Sequence, residues 1–215
     1  MTDDQRIVVR GEAQRQAPAD LAAVVVVVQV EDADQVRAFD RASDLAAAVD
    51  VVLEERAGAL GPRQAAVVVV QPTTRWVDGE QQRTGWRAAR TTSVDVTDLA
   101  EVSPLLAELV GAGATVHGPT WRLRPGHPVL DEVRALAAAD ARQRADAYAG
   151  ALGLRVGRVD WVAEPGLRRG DATGGGGHEV LALRASHEAG GAELAVEAAV
   201  LTVTAAVEVG FGIER

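Results

Sequence analysis

The chain has 215 residues, 47% of them apolar and most of those alanine or valine, enough to bury a sizeable core in one domain or two small ones packed together. The 31 acidic and 22 basic residues leave a formal net charge of −9, so the averaged surface repels phosphate backbones and anionic membranes, and neither nucleic acid nor a lipid surface is expected as a partner. Every basic residue is arginine and cysteine is absent, which excludes Schiff-base chemistry, thiolate nucleophiles, disulfides and Cys-ligated metals.

Residues 6–13 and 21–31 alternate as strands around "QRQAPAD", where Pro18 and Asp20 suit a turn. The first residues, "MTDDQRIVVRGEAQ", lack the basic and apolar regions of a secretory signal, and the longest apolar run, "LAAVVVVVQV", is roughly half the length a bilayer-spanning helix needs. A soluble, cytoplasmic protein is the expectation. From Asp34 to Gly58, Val36, Phe39, Ala42, Ala46, Val49 and Leu53 recur at helical steps, with Gly58, Gly61 and Pro62 as the stop. "QAAVVVVQPTTRWV" and "RTGWRAARTTSVDV" then form a hairpin about the polar turn "DGEQQ".

"DLAE" supplies a capping box, Asp98 with Glu101, for a helix carrying Val102, Leu105, Leu106, Leu109 and Val110 and closed by Gly111 and Gly113. After the strand "ATVHGPTWRLR" comes an alanine-rich helix whose stripe runs through Leu130, Val133, Ala137, Ala141, Ala145, Tyr148 and Leu152, with Gly153 as its C-terminal cap. "RVGRVDWVAE" is a strand, "PGLRRGDATGGGG" a loop, and strands at about 178–187 and 193–214 end the chain. In the last strand Leu201, Val203, Ala205, Val207, Val209, Phe211 and Ile213 share one face. The order β-β-α-β-β-α-β-α-β-β-β predicts an α+β fold, three helices packed on a mostly antiparallel sheet. A single domain over residues 1–215 is the simplest division, with two sublobes, about 6–80 with 155–215 and about 84–153, as its finer form.

Four blocks occur in one order: "IVVRGEAQRQAPADLAAVVVVV", "TGWRAARTTSVDVTDLAEVSPLLAELVGAGATVHGPTWRL", "EVRALAAADARQRADAYAGALGLRVGRV" and "AVLTVTAAVEVGFGI". Together they resemble the SIMPL-domain family, a domain of unknown function, over nearly the whole chain. The resemblance implies an α+β domain, a tendency of exported bacterial relatives to form large homo-oligomers, and links to the envelope, oxidative stress or, in an animal member, a kinase partner. It supplies no catalytic residue.

The residues themselves carry little chemistry. Asp140 with Arg144 and Arg142 with Asp146 are i,i+4 pairs that read as a solvent-facing helix surface, with an intersubunit salt-bridge surface as the functional alternative. His117, His127, His178 and His187 lack metal-pair spacing, and strand alternation sends each His of His178–Glu179 and His187–Glu188 to the face opposite its Glu. No cofactor, metal or catalytic residue is expected. Trp76 and Trp86 are read as facing each other across the hairpin, where Arg75, Arg83, Arg87 and Arg90 would make a local basic patch. The candidate interaction surface is therefore Trp76, Trp86, Arg87, Arg90, Asp140 and Arg144. The leading functional expectation is a non-enzymatic, self-associating or protein-binding protein. A small-molecule-binding protein or enzyme with a pocket near the Trp76/Trp86 hairpin is the alternative, and a nucleic-acid-binding hairpin comes third.

Overall fold

The computed structural model describes residues 5–63, 66–77, 79–167, 180–181 and 197–215. Its element order is the one the patterning predicts, with antiparallel strand pairing throughout the described residues. The described residues divide into two compact units, a terminal one holding residues 5–18, 124–167, 180–181 and 199–215, and a central one holding the remainder.

In the terminal unit, β1 (Arg6–Pro18) pairs along its whole length with β8 (Val200–Glu214), which also pairs with β6 (Arg155–Ala163) and with the short β7 (Val180–Leu181). The alternation of β8 gives it a dry side: Leu201, Val203, Ala205, Val209 and Phe211 are buried. Helix α3 (Pro128–Ala151) starts on Pro128, whose missing N–H costs nothing in a first turn, while His127 Nδ1 accepts from the Val129 N–H at 3.2 Å. It ends on Gly153 in the left-handed region at φ +71, where Leu154 N–H donates to the Ala149 carbonyl at 2.9 Å and Gly153 N–H to that of Gly150 at 3.1 Å.

The buried row of α3 is Val129, Val133, Ala137, Ala141, Ala145 and Ala149, one unbroken i+4 ridge. This corrects the ends of the expected stripe: Tyr148 and Leu152 are 62% and 69% exposed. The three-residue step from Ala145 to Tyr148 leaves the ridge, and Ala149 takes its place. A Cβ on Gly11 of β1 would strike the Ala137 carbonyl and stand 2.5 Å from Ala141 N and 2.7 Å from Ala141 Cβ, so strand and helix backbones touch at a position only glycine fits.

The central unit is a four-stranded sheet of order β3-β4-β2-β5, built from β2 (Leu21–Asp32), β3 (Val67–Val77), β4 (Glu80–Val96) and β5 (Thr115–Arg122). Its core joins Val24, Val26, Val94 and Val96 of the sheet to Val49 and Leu53 of α1 (Gln35–Glu55) and to Val102, Leu105 and Leu109 of α2 (Val102–Gly111). Asp34 caps α1 by accepting from the Arg37 N–H at 3.0 Å.

The buried row of α1 is Ala38, Ala42, Ala46, Val49 and Leu53, while Val36 and Phe39, expected on that face, are exposed because Ala38 and Ala42 take the contact with Ala88. The helix also stops before its expected glycines, with Gly58 lying in the following 3-10 turn, Ala57–Ala59. The expected capping box is corrected too. Asp98 caps a short 3-10 turn through the Ala100 N–H, and the Glu101 carboxylate is spent on Arg56, which also binds Glu108. Gly113, at φ +89, closes α2 in the same manner as Gly153 closes α3.

Candidate interaction site

The hairpin of β3 and β4 lies against the N-terminal half of α1, and between them runs a groove of about 270 Å³. Small residues make it. Ala42, Ala46 and Ala47 of α1 line it opposite the stretch of β4 at Ala88 and Ala89, and side chains this short leave the space between helix and sheet unfilled. Phe39 and Val68, both exposed, form its apolar walls, and the Ser43 hydroxyl beside them donates to the Phe39 carbonyl at 2.9 Å.

The inner end of the groove is polar. Arg90 meets Asp50 with both terminal nitrogens, Nη1 to Oδ2 at 2.8 Å and Nη2 to Oδ1, and its Nε lies 3.4 Å from the hydroxyl of buried Thr92. The hydrogen bonds from Arg90 hold the Asp50 carboxyl below the usual carboxylate range against partial burial, with Arg63 adding attraction, and the same pairing raises Arg90.

The sequence-predicted site residues fall as follows. Trp76 is 71% exposed on β3, whereas Trp86 is half-buried against Ala38, Ala42 and Ala88 with the Arg83 guanidinium 5.5 Å over its ring. The two indoles do not face each other: Trp76 pairs with Gln81 and Trp86 with Pro72. The reason is the turn. Val77 already pairs with Glu80, so the connection is shorter than "DGEQQ", and a register shift between Thr73 and Thr74 moves the partners further. The expected basic patch is largely neutralised, since Arg87 binds Glu31 at 2.7 Å and Arg90 binds Asp50, while Arg75 is exposed.

Asp140 and Arg144 belong to the terminal unit. They pair at 2.8 Å, and Asp140 also accepts from the backbone N–H of Glu12 at 2.9 Å, fastening α3 to β1; that N–H, with help from Arg144, lowers the Asp140 pKa. Arg15 and Glu132 add a second tie between the same elements at 3.0 Å. His117 is exposed and His127 is spent on its cap; His178, His187 and most of the glycine-rich stretch lie outside the described residues. Among the described residues no cluster of three or more His, Cys, Asp or Glu could hold a metal ion, and no helix is long and apolar enough to cross a membrane.

Sequence reasoning missed Phe39, Asp50 and the exposed Val67, Val68 and Val69. A usable signal for the valines was present: no charged residue stands between Ala66 and Arg75, and a solvent-facing edge of that kind is unprotected.

Antiparallel sheets carrying helices define the molecule as an α+β protein. It belongs to the SIMPL family, described as a protein of unknown function (DUF541), whose match runs over residues 7–211. No curated protein matches the chain.

Proposed function

We propose that this SIMPL protein is non-enzymatic and works by self-association or protein binding, with the contact surface on the β3–α1 side of the central unit. The observation that carries this reading is an apolar, uncharged strand edge at Val67–Val69 beside the open groove walled by Phe39 and Val68. Exposed valines on an edge strand are a liability unless something covers them. Trp76, farther along the same strand, supplies an aromatic side chain of the kind enriched in contact surfaces.

Small-molecule binding is the weaker reading. The groove falls just below the usual range of about 300–1,000 Å³ for ligand pockets, and its two charged groups already satisfy each other. Analytical ultracentrifugation tests the proposal: the expected result is a dimer or larger assembly at micromolar concentration. A strict monomer that captures no partner in a pull-down overturns it.

A further inference from the structure

We propose that β3 of one copy pairs antiparallel with β3 of a second copy across a two-fold axis at Val69, joining two four-stranded sheets edge to edge. The inference rests on the self-association reading and names the surface and the partner.

Two separate observations show which backbone groups of β3 are left free among the described residues. Val96 of β4 pairs with Ala22 of β2 on one side, so Leu60, which bridges Val96 from the other side, lies on the side of β4 that β3 occupies. There Gly61 N–H donates to the Asp95 carbonyl at 2.8 Å and Thr97 N–H to the Ala59 carbonyl at 2.8 Å. Odd-numbered residues of β4 thus direct their backbone groups toward β3. The β2–β4 register is continuous over this stretch, so Thr91, Ala89 and Arg87 do the same, bonding their partners Val67, Val69 and Gln71. Val68, Val70 and Pro72 then point their backbone groups away from β4. Pro72 agrees independently, because a residue without an N–H is tolerated in a strand where that position faces an open edge.

The free edge is self-complementary. A two-fold axis at Val69 sets Val68 opposite Val70 of the second copy, and each of these pairs exchanges both N–H···O bonds. Pro72, next along, keeps a carbonyl to accept from Ala66 of the second copy and loses no donor. Shifting the axis to Gln71 would instead set Val70 against Pro72 and leave the two central Val70 carbonyls without a donor. The side chains meeting across the seam are uncharged, so the seam adds no local repulsion between two copies that each carry a net charge of −9. Val68, on the seam, is also a wall of the groove, so the seam runs along the groove's margin.

The chain contains no cysteine, which makes the test clean. Val69 faces its own copy across a non-hydrogen-bonded position, about 4.5 Å between Cα atoms, within disulfide range. Val69→Cys is therefore expected to form a covalent dimer under mild oxidation, where Val110→Cys, at an exposed position of α2, stays uncrosslinked. Val68→Pro removes an N–H that β4 does not use. It is expected to weaken dimerisation roughly 30-fold or more, the effect of two lost interchain hydrogen bonds, with the far-UV circular dichroism unchanged. Should Val68→Pro fail to fold, the cysteine pair decides. An assembly that sediments as an oligomer but crosslinks no better at Val69 than at Val110 overturns the β3 seam and leaves self-association standing. A monomer at all concentrations overturns both.

Discussion

The two units each lay an alanine-rich helix on an antiparallel sheet, and they pack it differently. In the terminal unit the strand offers Gly11 beneath Ala137 and Ala141, so backbone meets backbone and Asp140 reaches the Glu12 N–H. In the central unit α1 is anchored at its C-terminal half by Val49 and Leu53 and touches the sheet where Ala38 and Ala42 meet Ala88, but beside Phe39 and Val68 its short alanine side chains leave a groove unfilled. Alanine on a helix packs closely only where the backbone opposite is within reach, as it is at Gly11. Where it is not, the same composition leaves an opening beside a free strand edge.

The largest effect should come from breaking the tight unit. Gly11→Ala places a methyl group on the Ala137 carbonyl, and neither backbone can retreat without disrupting the β1–β8 ladder or the α3 ridge. A loss of about 3 kcal/mol in urea denaturation is expected, at the upper end of overpacking costs. A loss under about 1 kcal/mol would mean that α3 does not rest on the strand at this point.

How much of this was legible in the sequence depends on range. The element order, the dry face of β8 and the central part of the α3 ridge follow from short periods, and so do the ion pairs Asp140–Arg144 at 2.8 Å and Arg142–Asp146 at 3.1 Å. The difference between a central strand and an edge strand does not. "VVVVQ" occurs at residues 25–29 in β2 and again at 67–71 in β3, yet Val26 and Val28 are buried in the middle of the sheet while Val67–Val69 are exposed at its margin. An identical string carries no information about its neighbours, which are set by pairings with residues far away in sequence. The same holds for Arg90, whose partner Asp50 lies on a helix that the local pattern of β4 does not mention. Trp76 and Trp86 were misplaced because hairpin register depends on turn length and on a bulge.

An intermediate effect should come from the polar end of the groove. Arg90→Ala removes a bidentate pair whose members are partly exposed, so about 1–2 kcal/mol is expected after allowing for solvent screening. The pH dependence sharpens the point. The pKa of Asp50 is lowered in the folded protein from an ordinary value of 3.8, so its contribution is complete above that value and is lost as pH falls through the folded pKa. Stability measured from pH 6 downward should therefore fall more steeply below about pH 4 in the wild type than in Arg90→Ala. Parallel curves would mean the pair adds nothing. Asp140, lowered in the same sense by the Glu12 N–H, adds an acid-labile contribution in the terminal unit that Arg90→Ala leaves intact.

The smallest effect is expected where α1 lines the groove. Ala46 is buried at 5% exposure, and enlarging a buried alanine ordinarily costs stability through overpacking. Ala46 also lines the groove, however, so the added carbons of Ala46→Leu have about 270 Å³ of open space to enter beside Phe39 and Val68. A change within about 1 kcal/mol of wild type is expected, against a severe loss for Ala141→Leu, where the alanine is fully buried beneath Gly11. Equal penalties at the two sites would show that α1 is packed as closely as α3 and that the groove is not a real opening. A tolerated Ala46→Leu would also fill the space next to Val68, so its effect on sedimentation separates the groove from the strand edge: association through β3 backbone groups should survive it.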